Sequence, residues 1–313
     1  MNDPIVSVVM SVYNGGVYLA KAIESVLSQT FTNFEFIIIN DGSTDGSVDV
    51  INFYADKDKR IKIISRENQG LAISLNEGID LAKGEYIARM DADDKMYPTR
   101  IARQVDYMEK NISTTVVGGG QMMYFQDGSK KINRPPLRSN SIKAGLFVRT
   151  TMLHPTVMMR KAFLDRNNIK YFPDYYLCED YKIFVDLLLA GAEFANLPEI
   201  VNTYGYRDPK GWDRYEESMV RGLRNIWVNN LRHISIQAQE SDILCLLRIT
   251  NKVSVNSLTD VFGIGLFFLK CLIKSNSTFG GKSAFFYMSL KTFVSISKKF
   301  LKNTIVRKTE RCK

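Results

Sequence analysis

The chain has 313 residues, 45% of them hydrophobic and 24% charged, a balance that supports a globular fold and excludes a disordered chain. Its four cysteines (Cys178, Cys245, Cys271 and Cys312) are scattered and form no C-x-x-C pair, which argues against a zinc site or a disulfide framework and suits a reducing compartment. The net charge of +9 is uneven: residues 252–313 hold twelve Lys and Arg against Asp260 and Glu310, a net +10, and the rest of the chain is close to neutral.

The N-terminus, MNDPIVSVVM, lacks a basic n-region, so no cleaved secretory signal is expected. No run of about 18 uncharged apolar residues occurs, so no transmembrane helix is expected. IVSVVM (5–10) reads as a buried strand, followed by the turn Tyr13-Asn14-Gly15-Gly16 and a helix over 17–30. FEFIIIN (34–40) is a second strand. It leads through Asp41-Gly42-Ser43-Thr44, rich in helix-capping residues, into a helix ending near 55. A third strand (61–65) and helix (71–83) and a fourth strand (85–90) follow. Pro98 suits the first turn of a helix over about 98–110, and TTVVGGG (114–120) is a further strand. This alternation predicts an α/β fold with a mostly parallel central sheet and helices on both faces. Beyond 120 the pattern loosens to a hairpin at Asp127-Gly128 and a helix over 181–191.

Ligands of such sheets bind beyond the carboxyl ends of the strands. Ser11, Tyr13 and Asn14 follow the first strand, Asp41 the second, Arg66 the third, and Asp91, Asp93 and Asp94 the fourth. There is no G-x-G-x-x-G after the first strand and no G-x-x-x-x-G-K-[ST], which weakens dinucleotide and P-loop readings. The Asp-Ala-Asp-Asp run is the sharpest signal. Three clustered carboxylates repel unless a cation or solvent intervenes. Hard oxygen ligands suit Mg²⁺ or Mn²⁺, and these suit a diphosphate. A helix N-terminus decorated with acids is the plain alternative.

The blocks SVVMSVYNGGVYLAKAIESVLSQTFTNFEFIIINDGSTDGS, RENQGLAISLNEGIDLAKGEYIARMDADD, YPTRIARQVDYME, HPTVMMRKAF and CEDYKIFVDLLLAG, in that order over about 5–205, resemble a family 2 glycosyltransferase of the Rossmann-like GT-A fold. Ser11 stands where a proline is frequent, and Asn40 where an acid is frequent. The resemblance implies that Asp41 accepts the uracil N3–H of a UDP-sugar and that Tyr13 or nearby backbone lines the base pocket. It implies that Arg66 contacts the nucleotide, Asp91 holds ribose or sugar hydroxyls, and Asp93 ligates Mn²⁺ or Mg²⁺ on the diphosphate. Glu179-Asp180 precedes a helix whose N-terminus favours anions. By the same resemblance Asp180 is the base that deprotonates the acceptor, and Glu179 orients acceptor or donor. His154 either touches metal or diphosphate or packs beside Pro155. His233 has no such context. The segment RDPKGWDRYEE around Trp212 is either a flap over the acceptor or a plain loop.

The implied activity is inverting, non-processive transfer of a hexose from a UDP-sugar to a saccharide acceptor, in O-antigen, capsule or related surface-glycan assembly. A sugar nucleotidyltransferase and a non-catalytic nucleotide-sugar or membrane-binding module are the alternatives. The first would carry a basic Gly-rich loop where Tyr-Asn-Gly-Gly stands. A processive synthase is disfavoured, because no Q-x-x-R-W motif occurs. The expected organisation is a GT-A domain over 1–205, with a nucleotide-sugar half (1–120) and an acceptor half (121–205), and a helical basic region over 206–313. Within that region VFGIGLFFLKCLI (261–273) and SAFFYMSLKTFVSI (283–296) are apolar but broken by lysines. That mixture suits helices lying on an anionic membrane surface rather than on nucleic acid. It predicts an undecaprenyl-diphosphate-linked acceptor and a peripheral location on the cytoplasmic face of a bacterial inner membrane.

Overall fold

The computed structural model describes residues 3–125, 127–204 and 216–311, with side chains as far as Leu301. The first strands and helices fall where the patterning puts them. β1 (Val6–Val12), β2 (Phe34–Asp41), β3 (Ile61–Arg66) and β4 (Tyr86–Asp91) alternate with α1 (Leu19–Leu27), α2 (Ser47–Lys57) and α3 (Leu71–Leu81). They pair in parallel in the order β3-β2-β1-β4. Then come β5 (Lys95–Met96), α4 (Arg100–Lys110), β6 (Thr114–Tyr124), β7 (Lys130–Asn133), α5 (Ser139–Leu146), β8 (Met158–Arg160), α6 (Lys161–Asn167), α7 (Glu179–Leu189) and β9 (Glu193–Tyr204). β8 enters antiparallel beside β4, β6 pairs with β8, and β9 runs parallel to β6. β5 closes the edge on β9, and β7 forms the expected hairpin with β6.

The strands at the centre of the sheet divide their side chains between two cores with a period of two. Val6, Val8, Met10, Phe36, Ile38, Ala88 and Met90 face one, and Val9, Ile37, Ile39 and Ile87 face the other. α1 buries Leu19, Ala22, Ile23 and Val26, one stripe of a 3.6-residue helix, against the first core. α3 lies against the second, so closely that a Cβ at Gly78 would come within 2.4 Å of Val9 Cγ1.

β9 escapes the sequence reading. Pro198 interrupts it, and its pairing with β6 shifts register around Gly118 and Gly120, so no clean alternation marks it. The glycine run of β6 admits this neighbour: a Cβ at Gly119 would lie 2.7 Å from Val201 Cγ2.

The C-terminal region is helical, as expected: α8 (Glu216–His233), α9 (Glu240–Ile249), α10 (Leu258–Lys274) and α11 (Gly281–Arg311). These helices complete the second core. Trp227 is fully buried and donates from Nε1 to the Val148 carbonyl at 2.9 Å. Phe147 meets Phe279 and Phe285 edge-on, with centroids 5.1 Å away in both cases. Each such buried aromatic contributes roughly 1.5–3 kcal/mol. Among the described residues no helix is long and apolar enough to cross a membrane.

Arg100 of α4 ties the middle of the sheet together. It is fully buried. Its guanidinium donates to the carbonyls of Arg89 (2.8 Å) and Pro155 (2.7 Å) and to Gln104 Oε1 (3.0 Å). Gln104 in turn donates to the carbonyls of Thr156 and Val117. Arg100→Met keeps the volume but orphans these acceptors. At ~1–3 kcal/mol for each unsatisfied buried group, it should lower stability by about 3 kcal/mol or more, read as a fall in the urea midpoint. An unchanged midpoint would show that water replaces the guanidinium.

Candidate active site

Strand register sets the first half of the site. Asp41 at the end of β2 stands opposite Arg66 at the end of β3, and Ser11 of β1 opposite Asp91 of β4. Asp41 is buried and fully engaged on its protein side. Oδ1 accepts the Gln69 N–H at 2.8 Å and the Arg66 guanidinium, and Oδ2 accepts the Gly70 N–H at 2.9 Å. One lone pair of Oδ2 is left to accept a further donor. Arg66 is held between Asp41 and Glu77 Oε2 (2.8 Å), with Ser74 Oγ at 3.0 Å. The chain turns from β2 at Gly42, whose φ of +75° and a would-be Cβ 2.6 Å from the Asn68 amide admit glycine alone.

The loop after β1 is fastened to the loop after β2. Asn14, at φ +52°, accepts the Thr44 N–H at 2.8 Å, and the N–H groups of Asn14 and Gly15 donate to Ser43 and Ser47 hydroxyls. Asn14 thus shapes the loop, while Tyr13 is more than half exposed at its tip.

The acidic turn after β4 is divided in labour. Asp94 is buried and accepts from Asn202 Nδ2 (2.7 Å) and Gln121 Nε2 (3.3 Å), so it pins the turn to β9 and β6. Asp91 and Asp93 are half-buried at the rim. Asp91 Oδ2 pairs with Arg89 Nη1 at 2.5 Å. Arg89 is the residue that the sequence reading misses. It is buried, two positions before Asp91 and on the same face of β4, and neither its Nε nor, apart from that ion pair, its Nη1 has a hydrogen-bond partner among the described residues. An arginine inside a strand that is otherwise apolar is the signal that marks it.

Glu179 and Asp180 open α7, and Arg89 and Asp91 act electrostatically on both. Burial first, then the Asp180 charge, push the Glu179 carboxyl up to about 7. Burial likewise raises Asp180, although Oδ1 accepts the Tyr181 N–H at 2.6 Å. Leu177, two residues earlier, is held at φ +61°. A bulky side chain in the left-handed region costs of order 1–3 kcal/mol, and here it sets the approach to the carboxylate pair. His154 is buried, with Nε2 2.7 Å from Tyr171 Oη and its ring edge-on to Phe184. Burial, then Arg89, hold its pKa well below the usual imidazole value. It is a neutral, engaged ring.

Among the described residues no three His, Cys, Asp or Glu side chains gather as a metal cage. The donors fit a hard divalent ion of another kind: a rim carboxylate such as Asp93, completed by substrate phosphates and water, as Mg²⁺ is commonly held. The segment around Trp212 (207–215) lies outside the described residues. His233 is exposed.

The family model for glycosyl transferase family 2 matches residues 7–168. An uncharacterized glycosyltransferase of Haemophilus influenzae is 36% identical over 213 residues, which are 65% of this chain and 66% of that protein, just under two thirds of its length. S. aureus TarS 1–349 in complex with UDP-GlcNAc superposes with a TM-score of 0.64 at 16% identity, covering 95% of this chain and 92% of TarS 1–349. The mannosyltransferase PcManGT from Pyrobaculum calidifontis, in complex with GDP-Man and Mn²⁺, superposes with a TM-score of 0.59 at 14% identity, covering 96% of this chain and 88% of that one. These two likenesses establish the GT-A fold.

The Glu179 carboxyl yields a pH-dependent prediction. Its pKa is raised from 4.5 to about 7, so between those values the folded state binds more protons than the unfolded one. Stability therefore falls as pH rises through that window. Glu179→Gln removes the effect. It should stabilise the protein by about 1–3 kcal/mol at pH 8, at 1.36 kcal/mol per unit, and by little at pH 4. Urea melts at both pH values check this, and an equal difference at the two would refute it.

Proposed function

The chain belongs to glycosyl transferase family 2, and on that premise we propose that it catalyses inverting, metal-dependent, non-processive transfer of a hexose from a UDP-sugar to a lipid-linked saccharide. The reading is carried by one juxtaposition: strand-end acids suited to a nucleotide and its cation (Asp41, Asp91, Asp93) stand beside a desolvated carboxylate pair whose Glu179 titrates near 7. Burial raises Asp180 as well, and a carboxylate whose pKa is raised toward the operating pH is a better general base.

In this reading Asp41 receives the uracil N3–H on the lone pair left free at Oδ2, and Arg66 orients that carboxylate. Tyr13 covers the base. Ser11 and Asp91 hold ribose or sugar hydroxyls, and Arg89 fixes Asp91 from beneath. Asp93 would hold a Mn²⁺ or Mg²⁺, whose chemistry there would be to offset charge on the departing diphosphate. Asp180 takes the proton from the acceptor hydroxyl. The freed oxygen attacks the anomeric carbon opposite the leaving group, the bond to the diphosphate breaks, and UDP departs with the electron pair. Glu179 positions the sugar beside Asp180. The basic C-terminal region, net +10 over 252–313, supports an acceptor carried on an anionic membrane at the cytoplasmic face of the cell. Undecaprenyl diphosphate in O-antigen or capsule assembly is the class of carrier. Glucose and galactose are the first donors to try, then N-acetylhexosamines.

The test is a panel of nucleotide sugars with a diphospholipid-linked acceptor. Asp180→Asn should lose about 10²–10⁴-fold in turnover while still binding UDP. Undiminished turnover in that variant would move the base to Glu179. EDTA should stop transfer and Mn²⁺ or Mg²⁺ restore it, whereas full activity in EDTA would overturn the cation assignment at Asp93.

A further inference from the structure

The face that α10 and α11 turn away from the core is unusually greasy for a surface. Leu258, Phe262, Leu266, Leu269 and Ile273 of α10 recur every three or four residues and are each more than half exposed, so they form one stripe along the helix. Tyr287, Leu290, Val294 and Leu301 of α11, at spacings of three, four and seven residues, line one face in the same way, each at least two-fifths exposed. Between the helices lies an apolar cleft of about 250 Å³, walled by Phe268, Leu272, Phe286 and Phe293. Contiguous apolar surface of this kind marks an interaction site.

The surroundings select the partner. Asp260, the one acid of this region with a described side chain, is consumed by Arg248 at 2.8 Å. On the other flank of α11 a second cavity of about 310 Å³ opens against α5, walled by Arg134, Arg149, Lys291 and Tyr287. Arg134 and Arg149 are exposed, as is Lys291, and none of the three makes an ion pair with a described residue. Uncompensated cations beside an apolar ridge complement a surface that is anionic above and apolar below.

We propose that the outward face of α10 and α11 docks on an anionic lipid bilayer, with a phospholipid phosphate entering the cavity between Arg134, Arg149 and Lys291. This deepens the membrane reading given above and rests on it for the location of the acceptor, but the binding itself needs no catalysis. The helices lie in the interface rather than cross it, their aliphatic and aromatic side chains dipping in while the cations meet headgroups. Because the opposite faces of both helices complete the protein core, the face is rigid before it meets lipid.

The experiment is co-sedimentation of the full chain with vesicles of phosphatidylcholine alone or mixed with phosphatidylglycerol, at low and high salt. Wild type should bind the mixed vesicles, and more weakly at high salt. Arg149→Glu/Lys291→Glu should bind at least tenfold more weakly, and Leu266→Ser/Leu290→Ser should lose binding at every salt. All these positions are exposed, so the variants should keep the wild-type melting temperature; a variant that melts early is replaced by Phe262→Ser or Arg134→Glu. Wild-type binding by both double variants would overturn the proposal. So would competition by millimolar inorganic phosphate, which would mark a site for a soluble anion. A concentration-dependent dimer that Leu266→Ser/Leu290→Ser dissociates, with no vesicle binding, would assign the face to a second copy. Transfer to a water-soluble acceptor should be unchanged in every variant. Failure of the wild type to bind any vesicle, with that transfer intact, refutes the docking face alone, whereas absence of transfer in the wild type refutes the catalytic reading.

Discussion

A single buried guanidinium, that of Arg89, makes the acidic end of β4 tenable. Asp91, Asp94, Glu179 and Asp180 all lie within its electrostatic reach. Like charges gathered where water is scarce repel by several kcal/mol at the effective dielectric of a protein surface. An arginine cannot shed its proton to escape burial, so it remains a fixed positive pole. The dependence is mutual. Without the acids Arg89 would be an uncompensated buried charge, and without Arg89 burial would push Glu179 and Asp180 up further. Its hold is uneven, strongest on Asp91, with which it is paired, and weaker on Glu179. That difference leaves one carboxylate poised to titrate near neutrality while another stays committed to an ion pair.

The rest of the scaffold keeps this pole in place. Arg100, close by and of the same sign, spends its donors on carbonyls and Gln104 instead of on acids, so the two arginines do not compete. Asp94 is given up to the frame, where it fastens the acidic turn to Asn202 of β9 and Gln121 of β6. On the far side of the sheet end, Asp41, Arg66 and Glu77 form a second closed charge network. The nucleotide end and the carboxylate pair are therefore built separately and share only the parallel strands between them.

Periodicity made the parallel half of the sheet legible, because β1, β2 and β4 are buried on both faces and the helices show an apolar stripe. It failed at β9, where a proline and three register shifts erase the alternation, and at β5, which is two residues long. The strand-end acids were legible for the same topological reason: parallel strands send their last residues to one rim. Their distinct duties were not. Nothing in D-A-D-D tells Asp94, turned toward Asn202 more than a hundred residues later, from Asp93. His154 carried a motif's suggestion, yet its partner Tyr171 comes from a separate segment, and only folding brings the two rings together. Arg89 was legible in principle, since a charge in a buried strand demands an explanation, but its partners lie on elements that pattern alone does not bring near.

The sharing of the second core between the sheet and α8–α11 has a consequence for how the protein comes into being on a ribosome. The first core draws on residues no later than Val201, so it can close while the tail is still being made. The second needs Phe279, Phe285 and Ile296. At 5–20 residues per second, roughly 5–20 s separate the two events. During that interval Phe147, Trp227 and the inner face of α7 stand unsheltered on a half-finished molecule. A nascent chain in that state is a client for chaperones, and a premature stop codon between α9 and α11 would yield aggregate rather than a shortened enzyme.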